Sequence, residues 1–404
     1  MWFRVSLALL SVVLGFLALS GWLVTRDSSD PVIIGRYSRG YFTLLLVVTA
    51  LAVLSLVAQA TPIYRKLYAM RWKIILLLSS IVFSLIISEI AIRVFDPLGI
   101  SFFEESTRYQ LDLQGDPVLV FKHTPGLKRT YQGVEVSINE LGLRDRKVEK
   151  KREGELRILL LGDSVAFGWG VPAEATFGRK LENLLTFELQ QPVKVFNAGV
   201  CGYNTAQEYA SLKTYAEVIE PDVVILLYLS NDTQTNDGPF DPASARSLKG
   251  KSALDAATIL LRRSWLYRLV TLLKYSYETG PAMLDKNARG VKESIFALTS
   301  IAALCRERGI GFVTFFYHPK GESARTASVT NELLSEIQRV GYENRFDVCD
   351  TGPWWSKLDM RSVTNSVVDP HPNERGHEML ASGMADYLLG NNAIRKTTSN
   401  YPSY

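Results

Sequence analysis

Gly162-Asp163-Ser164 follows the run Arg157-Ile158-Leu159-Leu160-Leu161 and opens into Val165-Ala166-Phe167-Gly168-Trp169-Gly170. A serine flanked by glycines at the carboxyl end of a buried strand is where an α/β sheet presents a nucleophile. A serine hydroxyl attacks poorly until a base takes its proton, and that base must itself be oriented. Far downstream, Asp369-Pro370-His371-Pro372-Asn373 brings a carboxylate and a histidine within two residues of each other. Together the two segments point to acyl transfer at an ester through an activated serine.

The elements that must position them follow from the pattern of apolar residues. From Leu156 onward, short apolar runs at 157–161, 193–197, 223–229, 311–317 and 346–349 alternate with helical patterns near 176–190, 205–219, 291–308, 327–340 and 374–389. Strands apolar on both faces, separated by helices, predict a parallel sheet covered on both sides. Ligand chemistry in such sheets gathers at the carboxyl ends of strands, where Ser164, Asn197, Asn231 and His318 all fall. Thr205-Ala206-Gln207-Glu208 has capping-box form, which makes Thr205 structural.

The expected organisation is a membrane region over 1–98, a small β-rich segment with a charged link over 99–155, a hydrolase domain over 156–392 and a polar tail over 393–404. Within 99–155 the β-like runs are 117–121 and 134–138, and His123 there is uninformative. The hydrolase domain carries an insertion at 236–281. In it, Leu261, Trp265, Leu269 and Leu273 recur at helical spacing among Arg262, Arg263, Arg268 and Lys274. Those charges exclude a membrane span. The run 256–277 is expected to be a helix packed on the core, with a lid or a membrane-surface contact as alternatives.

Composition narrows the class. The net charge of +4 includes no basic block of the kind that nucleic-acid binding needs. Three cysteines, Cys201, Cys305 and Cys349, form no pairing framework and leave one thiol unpaired within the chain. No Cys/His spacing resembles a zinc site, and neither metal nor cofactor is expected. Much of the apolar content lies in the first hundred residues. Residues 5–24 and 41–60 are free of charge, and 74–92 carry one acid, Glu89, so three transmembrane helices and a lipid bilayer are expected. Trp2 and Trp22 sit at the ends of the first run like interfacial anchors. Arg4 precedes the first span and Arg65, Lys66, Arg71 and Lys73 follow the second. That bias predicts a multi-pass protein of the cytoplasmic membrane with its catalytic domain on the extracytoplasmic, periplasmic side. A cleaved signal peptide ending near Ala18-Leu19-Ser20 would leave two spans and the same outcome.

Over 156–390 the chain resembles the GDSL/SGNH hydrolase superfamily, named for Ser, Gly, Asn and His in four sequence blocks. Gly162-Asp163-Ser164-Val165 matches the first and Asn197-Ala198-Gly199-Val200-Cys201-Gly202 the second. Ser230-Asn231-Asp232 matches the third, and Asp369-Pro370-His371-Pro372-Asn373 with Gly376-His377 the last. The resemblance implies an α/β domain, three-layer α/β/α and flavodoxin-like, with a central parallel sheet. It implies Ser164 as nucleophile, His371 as base and Asp369 as the residue that orients the imidazole. The oxyanion donors it implies are the backbone N–H groups of Ser164 and Gly202 and the side chain of Asn231. Gly202 is preferred to Gly199 because the family's oxyanion glycine closes this loop just before a helix. The family commonly has Asp three residues before the histidine, where this chain has Val368, with Asp369 two before. His318 is a candidate substrate contact with packing as its alternative, and His377 is expected in a core or capping role.

Related membrane-anchored members are often linked to adding or removing acetyl groups on envelope polysaccharides. The expected activity is therefore an esterase on O-acetyl or other acyl esters of extracytoplasmic carbohydrate. An O-acyltransferase working with polysaccharide-biosynthesis membrane proteins, a lipid-ester hydrolase and a non-catalytic glycan-assembly subunit are the alternatives.

Overall fold

Successive side chains of the strand Leu156–Leu161 point to opposite faces, and both faces are buried: Ile158 and Leu160 enter one hydrophobic core, Leu159 and Leu161 a second. A strand with no solvated face needs a helical layer on each side. The computed structural model supplies both layers, and it describes residues 2–24, 33–34, 36–37, 39–235, 261, 263–275, 285, 288–318 and 324–390. These sort into two units, Met1–Pro97 with Arg246–Ser276, and Leu98–Ala245 with Tyr277–Tyr404.

The first unit holds α1 (Trp2–Trp22), α2 (Arg39–Val57), α3 (Thr61–Ala69) and α4 (Arg71–Phe95). Both α1 and α4 are long and apolar enough to cross a membrane, and α4, with 25 residues, extends about 37 Å at the α-helical rise. The second expected span is a bent pair: α2 stops at Val57, and residues from Pro62 to Ala69 continue at 93° to it. Among the described residues, two helices are thus long and apolar enough to span, or three if the bent pair counts as one. Large apolar side chains such as Leu9, Val12, Leu76 and Phe83 point outward on these helices, as a lipid environment favours.

Glu89, the one acid of the third apolar run, accepts the N–H groups of Trp265 at 3.0 Å and Leu266 at 2.9 Å and the hydroxyl of Ser264 at 2.8 Å. It thereby satisfies the first turn of the helix Trp265–Tyr275, α9 in chain order. Arg93 pairs with Glu89 at 2.8 Å and lies over the Trp265 ring. The sequence expects this helix on the hydrolase core, whereas it groups with α4, because Glu89 offers its open N-terminus the acceptors it lacks. Residues 256–260, 262 and 276–277 of the expected helix lie outside the described residues.

The second unit begins with α5 (Phe102–Asp112), a hairpin of β1 (Leu113–Asp116) and β2 (Val120–His123), and a hairpin of β3 (Lys128–Tyr131) and β4 (Val134–Ser137). The run expected as a strand from 117 is a turn up to Leu119, where Asp116 Oδ1 accepts the N–H groups of Val118 and Leu119. The helix α5 was not expected. Its signals are Glu104 and Glu105 in the first turn and a buried Tyr109 one helical face along from Phe102.

The chain continues through β5 (Leu156–Leu161), α6 (Ser164–Phe167), α7 (Phe177–Leu189), β6 (Val193–Asn197), α8 (Thr205–Ile219) and β7 (Val223–Tyr228). After α9 come α10 (Arg289–Glu307), β8 (Gly311–Phe316), α11 (Ala324–Asn344), β9 (Asp347–Asp350), α12 (Gly352–Trp355) and α13 (Glu374–Gly390). The five strands β5 to β9 form one parallel sheet in the order β6-β5-β7-β8-β9. Helices α7 and α13 cover one face through Phe177, Leu181, Leu380 and Met384. Helices α8, α10 and α11 cover the other through Leu212, Ile219, Leu298, Ile301 and Ile337. This is the flavodoxin-like three-layer order, and its topological switch point lies between β5 and β7. The capping box of α8 sits one residue earlier than expected: Asn204 is the cap, bonded reciprocally with Gln207. Thr205 starts the helix with its hydroxyl 2.9 Å from that of Ser294, so its role is structural as anticipated.

His377 of α13 joins the two helices on its face. Its Nδ1 accepts the N–H of Phe177 at 3.1 Å, its ring stacks on that of Phe177, and it is fully buried. Burial, with the nearby charges of Arg144, His371 and Lys180, pushes its pKa down to about 3. A folded-state value below the unfolded 6.5 means that the neutral ring's contribution is complete above pH 6.5 and is lost as the pH falls toward 3. Buried His123, pushed down to about 4, acts in the same direction. Thermal unfolding of the full chain in detergent should therefore show stability falling between pH 7 and pH 5, by on the order of 2 kcal/mol per histidine. His377→Gln, which keeps an acceptor for Phe177, should flatten that slope, and an unchanged slope would contradict the assignment.

Candidate active site

Strand β5 ends at Leu161, and the chain turns through Gly162 and Asp163 so that Ser164 begins α6 at the carboxyl edge of the sheet. Asp163 caps that helix, its Oδ1 accepting the N–H of Val165 at 3.0 Å. The other oxygen, Oδ2, accepts from the Asn231 amide at 2.7 Å, so the loop after β5 is tied to the loop after β7. Burial pushes the Asp163 carboxyl upward, against hydrogen bonds from Asn231 and Val165 and the charge of His371. An amide has two N–H groups, so Asn231 keeps a second donor beyond the one given to Asp163.

Ser164, His371 and Asp369 form one hydrogen-bonded line. Ser164 Oγ is 2.8 Å from His371 Nε2, and His371 Nδ1 is 2.5 Å from Asp369 Oδ1. A carboxylate facing Nδ1 places the imidazole proton there and leaves Nε2 free to accept from the serine hydroxyl. Asp369 is almost fully buried, yet its carboxyl lies below its ordinary value. Burial raises it, and the hydrogen bonds and charge of His371, together with the Asn365 amide, outweigh burial.

Asn365 is a site residue that the sequence reading missed. Its Nδ2 donates to Asp369 Oδ2 at 3.1 Å and to the Trp169 carbonyl at 3.0 Å, and its own N–H donates to the His371 carbonyl at 2.9 Å. It thus holds the histidine loop against the serine loop. Phe102 was missed too, with its ring centroid 5.8 Å from that of His371 and Trp169 beside it at 6.4 Å. Arg144, in the loop after β4, is buried: Nη1 donates to the carbonyls of Phe167 and Gly168, and Nη2 to that of Val171. A buried cation spent on three backbone carbonyls fixes the turn that follows α6. In sequence Asn365 and Arg144 look like ordinary polar loop positions, and no local periodicity marks them.

In the second block, Asn197 Nδ2 donates to the Ala166 carbonyl at 2.7 Å while Oδ1 accepts the Gly199 N–H at 2.9 Å. The loop lies so close to α6 that a Cβ on Gly199 would come within 2.4 Å of the Phe167 nitrogen, which accounts for that glycine by contact alone. Gly202 has a φ of +86°, and a Cβ there would meet Phe121 only at an ordinary contact distance of 3.8 Å, so its requirement is conformational.

Residues 160–379 match the GDSL-like Lipase/Acylhydrolase family. The chain belongs to that family. No curated protein matches it. Solved structures that resemble the domain include the acetyl xylan esterase AlAXEase, at 14% identity over 58% of this chain and 100% of that one, with a TM-score of 0.38. Axe2, an acetylxylan esterase from Geobacillus stearothermophilus, is 15% identical over 58% of this chain and 93% of its own, with a TM-score of 0.36. The psychrotrophic esterase EstA from Pseudoalteromonas sp. is 14% identical over 60% and 99%, with a TM-score of 0.35.

As a member of the GDSL-like family, the protein is an SGNH-type ester hydrolase. His318 stands at the same carboxyl edge but two strands from β5, about 10 Å away at the usual strand spacing. Its Nδ1 is 3.3 Å from Asp350 Oδ1, and the structure does not join it to the serine line. Among the described residues no group of three or more His, Cys, Asp or Glu side chains is placed to hold a metal. All three cysteines are free thiols. Removing the Asn365 amide would release Asp369 Oδ2 and uncouple the two loops. Asn365→Ala should lower kcat for a small ester about tenfold with KM little changed, the size of one charge-assisted hydrogen bond. Steady-state kinetics on the detergent-solubilised protein checks this.

Proposed function

We propose that the protein is a membrane-anchored serine esterase that removes acyl groups, foremost O-acetyl, from extracytoplasmic carbohydrate. The observation that carries the mechanism is the continuous line Asp369–His371–Ser164. In this reading His371 Nε2 takes the Ser164 proton as Oγ attacks the ester carbonyl carbon. The carbonyl oxygen becomes an oxyanion facing the N–H groups of Ser164 and Gly202 and the free amide N–H of Asn231. Collapse of this tetrahedral species breaks the bond to the alcohol, which leaves with the proton from His371, and the acyl group stays on Ser164. A water molecule, deprotonated by His371, then attacks the acyl carbon, Ser164 regains its proton, and the free acid departs. Throughout, Asp369 stabilises the imidazolium without taking its proton.

The carbohydrate substrate and the extracytoplasmic side rest on the apolar helices and on the positive residues Arg65, Lys66, Arg71 and Lys73 beside them, read with the positive-inside rule. An acyltransferase differs only in the second acceptor, a sugar hydroxyl in place of water. One observation favours a second reading, lipid-ester hydrolysis. The amphipathic helix α9 belongs to the membrane unit, capped by Glu89, and such a helix can lie in a lipid interface.

Two outcomes test these statements. A fluorophosphonate probe should label Ser164 stoichiometrically in the folded protein. Ser164→Ala should abolish labelling and cut kcat by at least about 10⁴-fold, and Asn231→Ala should cost about 10²- to 10³-fold. A folded protein without a Ser164 adduct would sink the esterase reading. On a series of p-nitrophenyl esters, kcat/KM should be highest for acetate and fall with chain length. A preference for long chains would instead establish the lipid reading.

A further inference from the structure

The segment before the hydrolase domain contributes a buried polar chain that ends on the oxyanion loop. His123 Nδ1 lies 3.0 Å from the Gly142 carbonyl, which can only accept, so Nδ1 carries the ring proton. Nε2 is then an acceptor, and 2.7 Å from it lies the Tyr109 hydroxyl, which must donate. The hydroxyl oxygen in turn accepts the Cys201 N–H at 3.1 Å. Each direction follows from the one before, and both side chains are buried. Burial keeps the imidazole neutral, its pKa pushed down to about 4, and raises that of the phenol, so the chain holds one protonation state at neutral pH.

Cys201 immediately precedes Gly202, the residue whose N–H is assigned above to the oxyanion. On its other side, Tyr203 donates its hydroxyl to the Phe121 carbonyl at 2.7 Å, and Phe121 shares strand β2 with His123. Gly202 itself sits at positive φ, a conformation that glycine adopts without steric cost. The residues on either side of Gly202 are thus both tied to the preceding segment, Cys201 by its N–H to Tyr109 and Tyr203 by its hydroxyl to β2.

We propose that Tyr109 and His123 are positioning residues of the esterase: they fix the backbone N–H of Cys201 and, through that residue, the direction of the Gly202 N–H that follows it, so that the latter is aimed before substrate arrives. The proposal rests on the esterase reading. It makes residues 99–155 a working part of the active site, with preorganised donors as the benefit.

Tyr109→Phe is the direct test, since the ring keeps its packing against His123, Tyr131, Phe167 and Trp169 and loses only the oxygen. In the full-length protein, with p-nitrophenyl acetate as probe, kcat should fall about tenfold and KM stay within about twofold, the loss expected for one buried amide left without its acceptor. Fluorophosphonate should still titrate every Ser164. Tyr131→Phe is the control: it is buried in the same aromatic cluster, but its hydroxyl donates to Asp112 at 2.7 Å, away from the loop. It should lower thermal stability by a comparable amount and leave kcat unchanged. Equal kcat losses in the two variants, or none in Tyr109→Phe, would overturn the proposal. Should Tyr109→Phe not fold, His123 asks the same question: His123→Gln retains an acceptor and should stay within about threefold of wild type, and His123→Leu should lose about tenfold. Identical kcat in that pair would also overturn it. Hydrogen exchange at the Cys201 amide gives a readout independent of activity. Exchange should accelerate in Tyr109→Phe and not in Tyr131→Phe, and unchanged exchange refutes the relay even if the wild type proves inactive. A wild type that neither labels nor turns over would count against the esterase reading alone.

Discussion

One buried carboxylate, that of Asp163, is shared between two loops that have to stay in register. Its first oxygen caps the helix that begins with Ser164, and its second accepts the Asn231 amide. An asparagine in its place would offer a donor where one of these two N–H groups needs an acceptor, so the charge-free isostere cannot serve both. Keeping an anion there is costly. Burial raises the Asp163 carboxyl, and Asp232 and Glu208 are buried nearby. Both of these are pushed well up, by burial first and then by acidic neighbours, Asp163 among them. The upward shift favours their neutral forms, which exert less repulsion on Asp163.

The parallel order β6-β5-β7 makes that sharing geometrically available. The chain leaves β5 toward its neighbour on one side and returns to the other, so the loops after β5, β6 and β7 converge at the switch point. Asn197 and Gly199 dock the β6 loop on α6, while Asp163 docks the β7 loop. The remaining contact face is filled by the hairpins and α5, whose Tyr109, Phe121 and Tyr131 pack with Phe167, Trp169 and Tyr203 in one buried cluster.

The strands, the helices of the sheet and the residues Ser164 and His371 were legible in the sequence because each rests on a local signal. Apolar runs of strand length are read directly from Leu156–Leu161 or Val223–Tyr228, and four short blocks recur in order. What escaped was non-local. Asn365 matters because it lies against Trp169, nearly two hundred positions earlier, and Arg144 because three carbonyls of another loop surround it. Neither leaves a periodic trace. The helix α5 was hidden by its polar composition, since only Phe102 and Tyr109 mark its inner side. The helix α9 shows the same limit from the opposite direction: its amphipathic pattern was plain, but its partner Glu89 lies far away in the chain, and pattern alone does not name that partner.

The acid two residues before His371, rather than three, is accommodated by a turn that suits the shorter spacing. Asp369 Oδ1 accepts the backbone N–H of His371 at 3.1 Å as well as facing its Nδ1, the side-chain-to-backbone bond two residues on that aspartate makes readily. Pro370 between them has a restricted φ and no N–H to compete for the carboxylate. The preceding residues complete the turn: Ser366 Oγ accepts the N–H groups of Val368 and Asp369, and the Ser366 N–H donates to the Asp369 carbonyl. Val368, in the register where an acid is common, donates its N–H to the Leu98 carbonyl and holds the loop from behind. With one oxygen engaged by His371 and the other by Asn365, the Asp369 carboxylate is as fully satisfied at this spacing as a triad acid requires. Register within a sequence motif is therefore a weaker constraint than the direction in which the carboxylate leaves the backbone, and here a proline and a serine set that direction.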